Sequence, residues 1–280
     1  MNKLSSAPRA QILGLMVEGD SIRAITRITG VSKNTVVKLL EDAGEAFSDY
    51  QDRTLCGQTC KRVQVDEIWA FVYTKAKNVE SAKAAPEGAG DCWTWWAIDA
   101  DTKLIPSFYV GSRDAEAAQA FIGDLATRLT NRVQLTSDGH KPNLQAVEQS
   151  FGADVDFAQL VKIYGDAPAG GRFSPGVCIG ADKRSVEGNP SPQHISTSYA
   201  ERANLTLRMG ARRFTRLTNA FSKQVENYAH SVAIHLMHYN FVRIHQTLHC
   251  TPAMSAGVTA KLWELTDLVK VLEDWELNQD

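Results

Sequence analysis

Val63-Gln64-Val65-Asp66-Glu67-Ile68-Trp69-Ala70-Phe71-Val72-Tyr73 reads as a β-strand with a carboxylate set in its middle. Apolar residues recur at the two-residue period of a strand. That period puts Asp66 on the face of Ile68, Ala70 and Val72 and leaves Val65, Trp69, Phe71 and Tyr73 on the other. A charge among apolar strand residues is costly unless something compensates it. Two further acids stand in comparable settings. Asp138 closes a second strand-like run, Val133-Gln134-Leu135-Thr136-Ser137-Asp138, where Gly139 lets the backbone turn sharply. Glu201 lies in Ser198-Tyr199-Ala200-Glu201-Arg202-Ala203-Asn204-Leu205, which has helical spacing. A divalent metal shared among the three would offset their cost, and Mg²⁺ takes a few carboxylates together with phosphate oxygens. The pattern points to phosphodiester chemistry. Taken singly, the same acids also read as a surface charge, a plain turn and a solvated helix pair.

The neighbouring segments build the sheet outward. Cys92–Asp99 and Leu104–Val110 read as strands joined by a hairpin at residues 100–103. Ser112 caps a helix whose apolar stripe is Ala118, Phe121, Ile122, Leu125 and Leu129. Pro142 opens a helix carrying Leu144, Val147 and Phe151, and Ser222–His245 reads as a long helix burying Val225, Tyr228, Val232, Leu236 and Tyr239. Residues 165–197 are rich in glycine and proline and read as a functional insertion, with a short strand expected at Val177–Ile179. This order predicts an α/β fold, a mixed sheet with helices packed on it.

The first fifty residues read as helices. Ser21 or Asp20 caps Ile22–Thr29, Gly30 supplies a tight turn, and Ser32 caps Lys33–Asp42. Two helices about a glycine turn make a helix-turn-helix pattern. Its second helix offers Lys33, Asn34, Thr35 and Lys38 near the N-terminus, where a recognition helix meets DNA. A small helical bundle without a DNA role is the plainer alternative. The expected division is a helix-turn-helix domain at 1–50, a linker at 51–61, a catalytic core at 62–258 and an acidic helical tail at 259–280.

Hydrophobic residues make up 44% of the 280, which predicts a packed globule rather than a disordered chain. The formal net charge of −2 gives no global nucleic-acid signal, but the distribution does. Between residues 202 and 250 stand Arg202, Arg208, Arg212, Arg213, Arg216, Lys223 and Arg243, against Glu226 alone. On the third helix Glu201, Asn204 and Arg208 share a face. An acid for metal, an amide and an arginine for phosphate would then meet one DNA strand. His245 is the histidine best placed for a functional contact. Cys56, Cys60, Cys92, Cys178 and Cys250 are odd in number and scattered, so no disulfide framework is expected. The reading is a cytoplasmic, nucleoid-associated protein with no leader and no membrane span.

Val65-Asp66-Glu67-Ile68-Trp69, Ser137-Asp138-Gly139, residues 199–208 and residues 212–223 together resemble the transposases of bacterial insertion sequences, the insertion-sequence-one type in particular. Residues 239–248 and Thr251-Pro252-Ala253 are similar to the end of integrase cores. The likeness runs from about residue 61 to residue 258. It implies a ribonuclease H-like fold and an Asp-Asp-Glu site in which Asp66, Asp138 and Glu201 hold two Mg²⁺ ions, with Mn²⁺ able to substitute. It also implies double-stranded DNA as partner, cleavage at element ends, attack of a freed 3′-hydroxyl on target DNA, and a homodimer or higher oligomer on DNA. Cys56 and Cys60 match the family's N-terminal zinc motif only in part, so no zinc site is carried over. Two rivals stand beside the transposase: a structure-specific nuclease on the same core, and a non-catalytic helix-turn-helix regulator.

Overall fold

The computed structural model describes residues 3–165, 176–215 and 219–279. The chain begins with α1 (Ser6–Val17), α2 (Ile22–Thr29) and α3 (Lys33–Thr54). The caps form as the residue types dictate: Ser21 Oγ accepts from the Ala24 amide and Ser32 Oγ from the Thr35 amide, satisfying N–H groups that lack helical partners. Gly30 ends α2 in the left-handed region at φ 72°, which glycine adopts at little cost.

The sheet strands are β1 (Arg62–Val72), β2 (Gly90–Asp99), β3 (Ser107–Gly111), β4 (Val133–Ser137), β5 (Val155–Tyr164) and β6 (Cys178–Glu187). They lie in the order β3-β2-β1-β4-β5-β6. β2 is antiparallel to both β1 and β3, while β1, β4 and β5 are parallel, and β6 returns antiparallel to β5. The first five strands have the order and directions of a ribonuclease H-like sheet, as expected. α4 (Ala115–Arg128) and α5 (Pro142–Phe151) cover one face, packing on Val63, Val65, Trp95, Leu135 and Phe157. α6 (Ser198–Gly210) and α7 (Val225–Phe241) cover the other, against Ile68, Ala70, Val72, Trp96 and Ile98.

α7 is apolar nearly all round because it is packed on both sides. Tyr228, Val232, Leu236 and Tyr239 face the sheet. Ile234, Met237 and Phe241 join a second core made by α1, α2, α3, α8 (Pro252–Ser255) and α9 (Leu265–Leu277). The N-terminal helices therefore share a core with α7 and α9.

Two expectations need correction. The third helix does not stop at Asp42 before a connector. It continues to Thr54, because Ala43, Ala46 and Phe47 extend its buried stripe onto α7. Gly44 permits that contact, since a Cβ there would collide with His230. Residues 55–61 are then tied to the sheet domain, with Leu55 and Cys60 buried. The short strand expected inside the insertion is longer, Cys178–Glu187, because it pairs along β5. The acidic tail carries α9, which is docked: Leu268, Val269 and Leu272 are buried, and Arg9 holds Glu276 at 3.0 Å.

His235 sits between the two cores, its ring against Gly210, with Nδ1 lacking a hydrogen-bond partner among the described residues. Burial pushes its pKa down to about 3, and the charges of His238 and Arg243 act in the same direction. A depressed histidine contributes stability that is intact above the unfolded value near 6.5 and is lost as pH falls towards the folded value, because only the unfolded chain takes up the proton. Between about pH 6 and pH 4 the wild type should lose about 1.4 kcal/mol per pH unit relative to His235→Gln. Urea melts at a series of pH values measure this, and parallel curves would mean that His235 is protonated in the native fold.

Candidate active site

β1 and β4 run parallel with Gln64 beside Thr136. Two residues further along each strand come Asp66 and Asp138, so the register alone puts them side by side. β4 ends at Ser137, and Asp138 turns there, its Oδ1 accepting from the His140 amide at 2.9 Å. Asp66 faces α6, where Asn204 Nδ2 donates to its Oδ2 at 2.6 Å and the Glu67 amide donates to its Oδ1 at 2.9 Å. Glu201, in the first turn of α6, accepts from Thr197 Oγ1 and pairs with Lys162 Nζ, each at 2.6 Å. All three acids line one cavity of ≈ 660 Å³.

Glu67 is the residue that strand alternation hides. It pairs across β2 with Trp95 and belongs to the opposite face. Yet one oxygen each from Asp66, Glu67 and Asp138 fall within 4.8 Å of one another. The early end of β4 is what lets a side chain from the far face reach the strand end. Glu67 is buried, and its Oε1 takes Arg113 Nη2 at 2.5 Å, while Oε2 has no hydrogen-bond partner among the described residues. Arg113 also stacks over Trp93 at 4.7 Å and stands 3.8 Å from Asp138 Oδ2.

The electrostatics follow from burial and crowding. Desolvation pushes Asp66 up to about 6, with Asp138 and Glu201 adding repulsion against the bonds from Glu67 and Asn204. Desolvation likewise raises Glu67 to about 7, helped by Asp138 and opposed by Arg113. Burial works most strongly against the Lys162 ammonium, but the hydrogen bond to Glu201 and the charges of Glu201 and Asp66 together outweigh it and hold the pKa above the usual lysine value. Asp66 and Glu67, raised by desolvation and clustered with Asp138, with Glu67 Oε2 lacking a partner among the described residues, fit a hard divalent cation, whose preferred donors are oxygens.

The cations lining this cavity are Arg113, Lys141 and Lys162. The sequence reading named none of them. Lys141 carried a signal, standing three residues after Asp138. Arg113 and Lys162 carried none, because strand pairing and the β3–α4 turn bring them in. The basic residues that were named lie elsewhere. Lys33 and Asn34 are exposed at the start of α3, Thr35 is half-buried beside Ser32, and Lys38 is exposed and paired with Asp42 at 2.8 Å. Asn204 contacts Asp66, and Arg208 and Arg212 are half-buried. Arg213 is turned inward: Nε donates to Ser222 Oγ at 2.6 Å, Nη1 donates to Ser231 Oγ at 2.9 Å, and burial pulls its pKa down to about 10. That geometry makes Arg213 a strut between the loop and α7 rather than a free phosphate contact. Lys223 and Arg243 are exposed, His245 is half-buried with Nδ1 3.1 Å from Thr247 Oγ1, and Arg216 lies outside the described residues.

No protein-family model matches the chain, and no curated protein does. Among solved structures, it resembles a piggyBac transposase in a synaptic complex with hairpin DNA, at 9% identity over 95% of this chain and 69% of that one, with a TM-score of 0.37. A TM-score that low does not bear on function. No helix among the described residues is long and apolar enough to cross a membrane.

If the carboxylates hold a cation, Mn²⁺ or Mg²⁺ at a hundredfold excess over its dissociation constant should raise Tm by about 3–8 °C. Chelation should reverse the shift, and Asp66→Asn or Asp138→Asn should remove it. A wild type that melts at the same temperature with and without metal would count against the site.

Proposed function

We propose that the chain is a DNA transposase of the Asp-Asp-Glu type. The observation that carries this reading is that Asp66, Asp138 and Glu201, far apart in sequence, line one cavity. The likeness of the surrounding motifs to transposases of insertion sequences supports it independently. Asp66, Asp138 and Glu201 would hold two Mg²⁺ ions, with Mn²⁺ able to replace them. Such ions activate the attacking oxygen and stabilise the leaving oxygen of an in-line displacement.

The chain's own residues would bind and orient the DNA. Asn204 and the Glu67 amide fix the Asp66 carboxylate. Arg113, Lys141 and Lys162 offer positive charge to phosphates entering the cavity. In cleavage, a water oxygen bonds to phosphorus as the P–O3′ bond breaks, leaving a 5′-phosphate and a 3′-hydroxyl, with the water proton passing to solvent. In joining, that 3′-oxygen bonds to a target phosphorus while the target's own P–O3′ bond breaks. One phosphoester bond forms for each one lost, so joining needs no external energy source.

Recognition of the terminal inverted repeats would fall to α2 and α3, with Lys33, Asn34, Thr35 and Lys38 at the DNA. We place the helix-turn-helix module at residues 1–50 and the catalytic core at 62–258, acting as a homodimer or higher oligomer on DNA. Lys223, Arg243, His245 and the arginines at 208, 212 and 216 would follow the backbone, making affinity salt-dependent.

The direct test uses the DNA flanking the coding region as substrate. Asp66→Asn, Asp138→Asn and Glu201→Gln should each lower cleavage and strand transfer by at least about 10³-fold while leaving end binding nearly unchanged. Near-normal cleavage by any one would remove that acid from the site. Hydrolysis without joining would instead indicate a structure-specific nuclease. In gel shifts, Lys33→Ala with Lys38→Ala should weaken end binding about tenfold without altering the thermal melt. Unchanged affinity would exclude α3 as the reading helix.

A further inference from the structure

Resting on the metal-site reading above, we infer that Lys162, the ion-pair partner of Glu201, is a phosphate-binding residue that exchanges Glu201 for a DNA phosphate when metal and DNA bind. Lys162 belongs to β5, but not to the part held inside the sheet. β4 pairs with β5 only as far as Gln159, so residues 160–164 pair with β6 alone and stand out as a two-stranded ribbon. Leu160, Val161, Lys162 and Tyr164 on this ribbon form a wall of the acidic cavity.

The two cations nearest the acids are held very differently. Arg113 is bonded to Glu67, whose side chain is 1% exposed, and is stacked on Trp93. Pulling it away would strand a buried carboxylate, so Arg113 stays. Among the described residues Lys162 has one ion pair, with Glu201, and both side chains are about a third or more exposed, at 34% and 41%. An exposed pair of that kind is weak and readily exchanged. Glu201 Oε1, which Lys162 and Thr197 both contact, belongs to the carboxylate assigned to the metal. A metal ion and the Lys162 ammonium therefore compete for one carboxylate. Once displaced, the ammonium remains on a flexible stem at the cavity wall, where a DNA phosphate is the partner of opposite charge.

The consequence is a coupling between metal and DNA. Metal must displace Lys162 without gain when DNA is absent, whereas with DNA present the lysine moves to phosphate. By linkage each ligand then tightens the other. In this scheme Lys162 is a positioning residue, and its signature is a change in coupling rather than a loss of folding.

The test measures Mn²⁺ binding to the full chain by electron paramagnetic resonance of the free ion, with and without a saturating duplex of about 30 base pairs, the uptake by duplex alone being subtracted. The wild type should bind Mn²⁺ about tenfold tighter with duplex than without. Lys162→Met should bind Mn²⁺ several-fold tighter than wild type without duplex, and its gain on adding duplex should shrink to about twofold. Lys162→Arg, which keeps the cation and provides a second folded variant, should restore most of the coupling. Equal Mn²⁺ affinity and equal coupling in wild type and Lys162→Met would overturn the inference while leaving the metal site standing. Wild-type binding that is absent, or that survives Asp66→Asn, would remove the metal site and the inference together.

Discussion

The cost of burying carboxylates crowded beside one strand, raised further by their mutual repulsion, is the constraint around which the site is arranged. Asp66, Glu67 and Asp138 bring oxygens within 4.8 Å of one another, where burial already disfavours charge. Each acid is answered by a group from a different element: Asn204 on α6 for Asp66, Arg113 after β3 for Glu67 and Asp138, and Lys162 on β5 for Glu201. The cluster can exist only where strand, turn and helix converge. The sheet, with β4 ending beside the middle of β1 and the first turn of α6 held on Gln64, supplies that place.

The helical part is not an appendage. α7 lends one side to the sheet and the other to the core of α1–α3 and α9, so the proposed DNA-reading helices are joined to the sheet that carries the acidic cavity through a packed element. α3 runs into the first residues of the expected linker, as far as Thr54, and residues 55–61 follow as non-helical chain.

Legibility in the sequence followed the range of the physical signal. The alternation in residues 63–73, the hairpin at 100–103 and the stripes on α4 and α7 are local, and each appears in the structure near its expected place. Helix ends were harder. α3 outran its expected end at Asp42 because Ala43, Ala46 and Phe47 gain burial only once α7 is present. β6 outgrew its three-residue expectation because a strand's length is set by its partner. Glu67 was hidden by the alternation rule itself, which assigns it to the far face and cannot register that β4 stops short beside it. Arg213 stood out in a basic run, yet Ser222 and Ser231 turn it inward.

From residues alone came the class of fold, the capped helix pair at the start, and three acids whose placement in strand and helix asks for a compensating charge. These are decisions of local periodicity and of the cost of an unpaired carboxylate, both properties of short segments. Folding in three dimensions decided the rest: which cations face the acids, that Glu67 joins Asp66 and Asp138, and that Lys162 rather than the run of arginines stands at Glu201. Those choices depend on strand register and on where β4 ends, and pairing between distant segments leaves no trace in either segment read by itself.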